Sequence, residues 1–249
     1  MSELADDRQA VVVHESDVPA SALEGGAGWV RICVGPDSGA RHVTQAVARF
    51  APGGASRIET KPNEEVLYVA SGGGEAAIGS ERFLLRPGLG VLVPPGCAGE
   101  IRNPGPEELR LVAVVSPPLG ASVAGGGPTE PVPPAAVHQD DERPLPAGDD
   151  RFFKLMIDPR FGARNVTQFV GSIERSRAPF HTHTYEEVIY ILSGRGLVHA
   201  HGWSVPVREG SSVFLPPGVP HCLENASAGV LRLLGVFSPA GSPADKAEE

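Results

Sequence analysis

The side chains of this sequence best suited to chemistry are the imidazoles and carboxylate of Pro179-Phe-His181-Thr-His183-Thr-Tyr-Glu-Glu187-Val-Ile-Tyr-Ile-Leu-Ser-Gly194, joined by a third imidazole in Val219-Pro-His221. Histidines at i and i+2 of an extended strand project to one face, about 7 Å apart along it, so both rings can turn onto one ion. On a regular strand Glu187 shares the parity of His181 and His183, whereas Glu186 points outward. Three neutral imidazoles and one carboxylate make a donor set of borderline hardness. It suits Fe, Mn, Ni, Co or Zn rather than Ca or Mg. A six-coordinate ion on four such donors keeps two positions open for water or a substrate.

The elements that must hold these groups are short strands. Residues 188–192, 197–201, 204–207, 212–215 and 230–237 are aliphatic or β-branched runs separated by Gly, Pro and Ser turns. No window of helical length carries a 3.6-residue period. Many short strands at close spacing predict a sandwich or barrel. His221 follows Leu215-Pro-Pro-Gly218, a turn that presents it at a fixed angle.

The chain also contains itself twice. Val13-His14-Glu-Ser-Asp returns as Val137-His138-Gln-Asp-Asp, and Gly39-Ala-Arg-His-Val-Thr-Gln45 as Gly162-Ala-Arg-Asn-Val-Thr-Gln168. Glu64-Glu-Val-Leu-Tyr-Val-Ala-Ser-Gly72 returns as Glu186-Glu-Val-Ile-Tyr-Ile-Leu-Ser-Gly194. Val93-Pro-Pro-Gly96 matches Leu215-Pro-Pro-Gly218, and Leu109-Arg-Leu-Val-Ala-Val-Val-Ser-Pro117 matches Leu231-Arg-Leu-Leu-Gly-Val-Phe-Ser-Pro239. Matches in one order across a whole half-chain mark a duplicated domain. The expected organisation is a first domain over 1–115, a Pro/Gly-rich linker over 116–136, a second domain over 137–240 and a solvated tail over 241–249.

On these motifs the chain resembles a bicupin, with germin-like or quercetinase-like cupin domains. The cupin pattern has a first motif of Gly, five residues, His-x-His, three or four residues, Glu, six residues, Gly. Its second motif is Gly, five residues, Pro-x-Gly, two residues, His, three residues, Asn. The second motif is matched at Gly210, Pro216, Gly218, His221 and Asn225, and the first at His181, His183, Glu187 and Gly194. Arg175 stands where the first motif opens on glycine, a departure that touches a turn and no ligand. The resemblance implies an all-β fold of two tandem jelly-roll barrels, also described as double-stranded β-helices. It also implies one divalent transition metal on His181, His183, Glu187 and His221.

The first copy lacks most of that set. Glu59 falls at His181, Lys61 at His183, Glu65 at Glu187 and Gly99 at His221, while Gly88, Pro94, Gly96 and Asn103 keep the framework. A lone carboxylate in a barrel is costly to ionise, so Lys61 is expected to pair with Glu65.

The resemblance implies several activities, among them quercetinase-type dioxygenation, oxalate oxidation or decarboxylation, sugar isomerisation and polyketide cyclisation. Storage or regulatory roles without catalysis also occur. Parity sends Ile189 and Ile191 inward beside Glu187, which favours an aromatic or partly apolar substrate over a phosphorylated sugar. The leading expectation is a metal-dependent oxidoreductase of the dioxygenase type on a small organic molecule. The alternatives are an isomerase, cyclase or lyase without oxygen chemistry, and a non-catalytic ligand-binding or structural protein.

A net charge of −9 over 249 residues, with scattered basic residues, gives no reason to expect nucleic acid or an anionic membrane as partner. No apolar run approaches the roughly 20 residues of a membrane span, and the acidic N-terminus does not read as a signal peptide. Cys33, Cys97 and Cys222 form no CxxC pair, which fits a reducing cytoplasm. Cys222 reads as a small packed thiol facing away from any ion. His199-Ala-His201 also has i, i+2 spacing but reads as a solvated hairpin, and His14, His42 and His138 as hydrogen-bonded or surface side chains. Tyr185 and Arg177 flank the first motif and read as structural or solvent-facing. Relatives of this kind assemble, so a homo-oligomer is expected.

Overall fold

Both faces of the strand Glu186–Ser193 are buried over most of its length, so it needs a core on each side. The computed structural model, which describes residues 9–60, 62–120, 131–148, 150–200 and 202–242, supplies both. Ile189 and Ile191 enter a core with Phe153, Phe169, Leu233 and Phe237, as the parity argument predicts. Val188 and Tyr190 turn the opposite way, into a core shared with Val66, Tyr68, Val112 and Val114 of the first half. The first half repeats the division, with Leu67 and Val69 in its own interior beside Phe50, Ile78 and Leu111. The described residues therefore form three apolar cores, one inside each half and one between them.

Each half is a pair of antiparallel sheets closed on its core, the two tandem jelly rolls expected. A seven-stranded sheet is opposed by a four-stranded sheet in the first half and by a three-stranded sheet in the second. The anticipated strands of the second copy appear as Glu186–Ser193, Arg195–Ala200, Trp203–Arg208, Ser211–Leu215 and Leu231–Ser238. His221–Asn225, read from sequence as the exit of a turn, is itself a strand and pairs with Arg195–Ala200.

The halves exchange their leading strands. Val11–His14 pairs with Ser211–Leu215 of the second half, and Ala135–His138 pairs with Leu89–Val93 of the first. The connecting residues 121–130 lie outside the described residues, as do 243–249 of the tail.

A reciprocal polar clamp accompanies the exchange. Glu186 does leave the barrel interior, but it is buried in the interface instead of meeting water. Its carboxylate accepts the backbone N–H groups of Arg41 at 2.7 Å and His42 at 2.8 Å. Glu64, its counterpart, accepts those of Arg164 at 2.8 Å and Asn165 at 3.0 Å. The repeated Gly-Ala-Arg segment of each half thus presents adjacent donors to the other half. Burial pushes the Glu64 carboxyl above its ordinary value, and the N–H groups of Arg164, Asn165 and Val166 oppose that shift. Ser116 and Ser238 meet between the clamps, Oγ to Oγ at 3.1 Å.

Candidate metal centre

Two short backbone pairings bring the histidines together. His181 and His221 form an antiparallel bridge, each donating its N–H to the other's carbonyl at 3.1 and 3.0 Å. Glu187 enters from the neighbouring strand, opposite Leu215 and Phe237. Nitrogens of His181, His183 and His221 all lie within 4.8 Å of one another. Glu187 Oε2 lies 3.3 Å from His221 Nε2 and 3.7 Å from His183 Nε2.

The tautomers are set by the backbone. His181 Nδ1 meets the Pro179 carbonyl at 3.0 Å, and His221 Nδ1 meets that of Val219 at 2.8 Å. A carbonyl only accepts, so each Nδ1 carries the proton and each Nε2 keeps its lone pair for the centre. His183 is sandwiched by rings, stacked on Tyr185 at 4.9 Å and 15° and 5.1 Å from Phe237. Burial, with the neighbouring His221 imidazole second, pushes His181 down to about 4, so its ring is neutral at pH 7. Burial alone would raise the Glu187 carboxyl, whereas a proton on His221, His183 or His181 beside it holds it below its ordinary value.

His221 Nε2 and Glu187 Oε2 are buried without hydrogen-bond partners. Orphaned acceptors of this kind are rare in a folded interior, and an ion among them would satisfy both. The donor set therefore fits the divalent transition metal that the sequence implied. A cavity of about 120 Å³ opens onto the cluster. Its walls are largely apolar, with Phe153, Phe169, Ile189, Leu223, Leu233 and Phe237, and Arg151 also reaches it. Among the described residues the Arg151 Nε is buried without a hydrogen-bond partner, and Nη1 donates to the Arg177 carbonyl at 3.4 Å.

The aromatic wall was not anticipated. Phe169 lies opposite Gly235, where an added Cβ would come within 2.1 Å of its ring. The first half has Ala46 opposite Ala113 at the same place. Setting the repeats side by side, with phenylalanine and glycine replacing two alanines, could have revealed it.

Other residues singled out from sequence have structural roles. His199 is buried, not solvated, and bonds Ser204 Oγ at 2.6 Å and Glu224 Oε2 at 2.8 Å. His201 lies outside the described residues. His14 and His138 bond the carbonyls of Glu209 and Pro87. Tyr185 is buried and donates to the Ser242 carbonyl at 2.7 Å. Cys222 is buried and accepts from Arg177 Nε at 3.3 Å. Asn225 locks its turn by donating to the carbonyls of Ile173, Glu174 and Gly229.

In the first half Glu59 is exposed and paired with Ala98. A Cβ at Gly99, the His221 position, would come within 2.2 Å of the Ala77 carbonyl oxygen, so histidine cannot simply be restored there. Lys61 lies outside the described residues, and among those described Glu65 has no ion-pair partner. Burial pushes the Glu65 carboxyl up to about 7. A raised carboxyl favours the fold below the unfolded value near 4.5, and that advantage is lost as pH rises through 7. Glu65→Gln is accordingly expected to stabilise the protein by roughly 1–3 kcal/mol at pH 8.5 and by almost nothing at pH 4.5. Urea midpoints of both proteins at the two pH values measure this, and a pH-independent difference would be contrary.

A cupin domain model matches residues 46–115 and 173–237, together more than half of the chain. The chain belongs to the cupin family. An uncharacterised protein of Methanocaldococcus jannaschii is 37% identical over 71 residues, 28% of this chain and 57% of that protein. An oxalate-binding protein of Thermotoga maritima is 37% identical over 63 residues, 25% of this chain and 52% of that protein. This cupin thus spans little more than half the length of these curated relatives. Among solved structures, a Pseudomonas aeruginosa protein described as glyoxylate-induced superposes with a TM-score of 0.77 at 18% identity, over 100% of this chain and 96% of its own. A deletion variant of Bacillus subtilis oxalate decarboxylase gives 0.75 at 16% identity, over 93% and 78%. Similarity at these identities is one of fold. No helix among the described residues is long and apolar enough to cross a membrane.

Proposed function

We propose that the second barrel binds one divalent transition metal, Fe, Mn, Ni, Co or Zn, through His181, His183, Glu187 and His221, and is a metal-dependent oxidoreductase of the dioxygenase type. Its substrate is a small organic molecule with an aromatic or apolar body. The observation that carries this is the pair of buried acceptors without hydrogen-bond partners, His221 Nε2 and Glu187 Oε2, beside a largely apolar cavity of about 120 Å³. A bound ion would supply Lewis acidity or a redox partner for dioxygen. The chain's own residues do the rest. Phe169, Phe237 and Leu233 exclude water and hold the apolar body, while the carbonyls of Pro179 and Val219 fix the two ring tautomers.

A second reading draws support from Arg151, whose unpartnered Nε in the cavity wall suits a carboxylate on the substrate. The names of the oxalate-related relatives point to the same substrate class. On that reading the protein is a lyase or isomerase acting on a small carboxylic acid without oxygen chemistry.

Oxygen uptake by protein reconstituted with Fe(II) or Mn(II), against a panel of phenolic and small carboxylic acids, separates the readings. Uptake in proportion to substrate loss supports the dioxygenase. Turnover at the same rate in anaerobic buffer supports the lyase or isomerase. Ligand binding that survives both metal removal and His183→Ala would leave a non-catalytic binding protein.

A further inference from the structure

The two halves differ in charge at one repeated position between them. Beside the second half, Glu15 is buried and surrounded by cations. Arg49 pairs with its carboxylate, Arg110 lies 3.9 Å away, and Tyr190 donates its hydroxyl at 3.0 Å. Arg31 donates to the Glu15 carbonyl. Two further carboxylates complete the neutralisation, Glu108 on Arg49 at 2.6 Å and Glu209 on Arg110 at 2.7 Å.

The repeat carries each of these residues to a counterpart. Arg110 becomes Arg232 and Arg31 becomes Lys154, so two of the three cations persist, while Arg49 becomes Ser172. All three carboxylates are gone, with Glu15 replaced by Gln139, Glu108 by Val230 and Glu209 by Pro87. The frame is otherwise intact. His138 bonds the Pro87 carbonyl as His14 bonds that of Glu209, and Tyr68 donates to Gln139 as Tyr190 does to Glu15.

Among the described residues Arg232 and Lys154 bond neutral oxygens. Arg232 Nη2 donates to Gln139 Oε1 at 2.8 Å and Lys154 Nζ to the Gln139 carbonyl at 2.7 Å. Among the described residues neither has a carboxylate within ion-pair distance. Both line a pocket of about 150 Å³ with Gln139, Ser172 and Phe152. Asp140 also lines it, but its side chain is largely exposed and lies 3.5 Å from His138 Nδ1. Two half-buried cations facing a pocket, where the sister site holds a carboxylate, form a built receptor for negative charge.

We propose that this pocket binds a small oxyanion, a carboxylate or phosphate, which supplies beside Gln139 the negative charge that Glu15 carries in the sister site. It shares Phe152, Phe153, Gly171 and Ser172 with the walls of the metal-centre cavity, so the anion buttresses the strands that shape that cavity. The site does not depend on the metal.

The test is thermal unfolding against inorganic phosphate and, separately, acetate, with ionic strength held constant by chloride. A saturable rise of roughly 3–6 °C is expected in at least one arm, and the arm that responds identifies the anion. Gln139→Glu, which restores the sister arrangement, is expected to raise the anion-free midpoint and abolish the response. Lys154→Gln is expected to weaken apparent affinity about tenfold. His183→Ala is expected to respond as the parent does. No saturable response in either arm, an undiminished response in Gln139→Glu, or a response lost in His183→Ala would overturn the proposal.

Discussion

Replacing His183 with alanine is expected to lower metal affinity by at least about 100-fold and to remove turnover, while the protein stays folded. Loss of a group that merely orients a ligand costs roughly 10–100-fold in affinity, and removing a donor should exceed that. The ring lies between Tyr185 and Phe237, so its removal leaves a cavity worth roughly 1–3 kcal/mol. The second barrel, with a core of its own, should tolerate that loss. Competition against a chromophoric chelator measures the affinity, and circular dichroism reports the fold. His199→Ala is the matched control, because His199 is committed to Ser204 and Glu224 and should leave metal affinity unchanged. Equal losses in the two variants would remove the distinction between the two histidine pairs.

Glu186→Ala is expected to produce the largest loss of stability, roughly 2–4 kcal/mol, or about 5–15 °C in the unfolding midpoint. The reason is the asymmetry of buried hydrogen bonding. The buried carboxylate satisfies two part-buried backbone N–H groups of the other half, and alanine removes the partner of both. Glu64→Ala should cost a similar amount through Arg164 and Asn165. The loss should not be accompanied by loss of metal, although Glu186 is the immediate neighbour of a proposed ligand. Differential scanning calorimetry with metal analysis of the same samples checks both parts. A shift under about 1 °C would show that the N–H groups find other partners.

Much of the fold was legible because duplication wrote it twice. Turn glycines and prolines recur at matched positions, and strand parity correctly sent Ile189 and Ile191 inward. The exchange of Val11–His14 and Ala135–His138 between halves was not legible, since pairing with the other copy's sheet leaves no mark in local alternation. Parity likewise said that Glu186 leaves the barrel, but not that a second half waits there with two donors. The histidines were visible through their spacing. The cavity was not, because its aromatic wall depends on Phe169 filling the space above Gly235 from a different strand. The salt-link expected between Lys61 and Glu65 falls outside the described residues, while burial of Glu65 gives the physical reason for expecting a compensating charge.

A single metal centre in a duplicated fold is the central claim, and its most direct test is the metal content of the purified protein. Elemental analysis after reconstitution and gel filtration should give one transition-metal ion per chain, lost in His221→Ala. Two ions per chain, or one that persists in His221→Ala, would contradict a single centre in the second barrel.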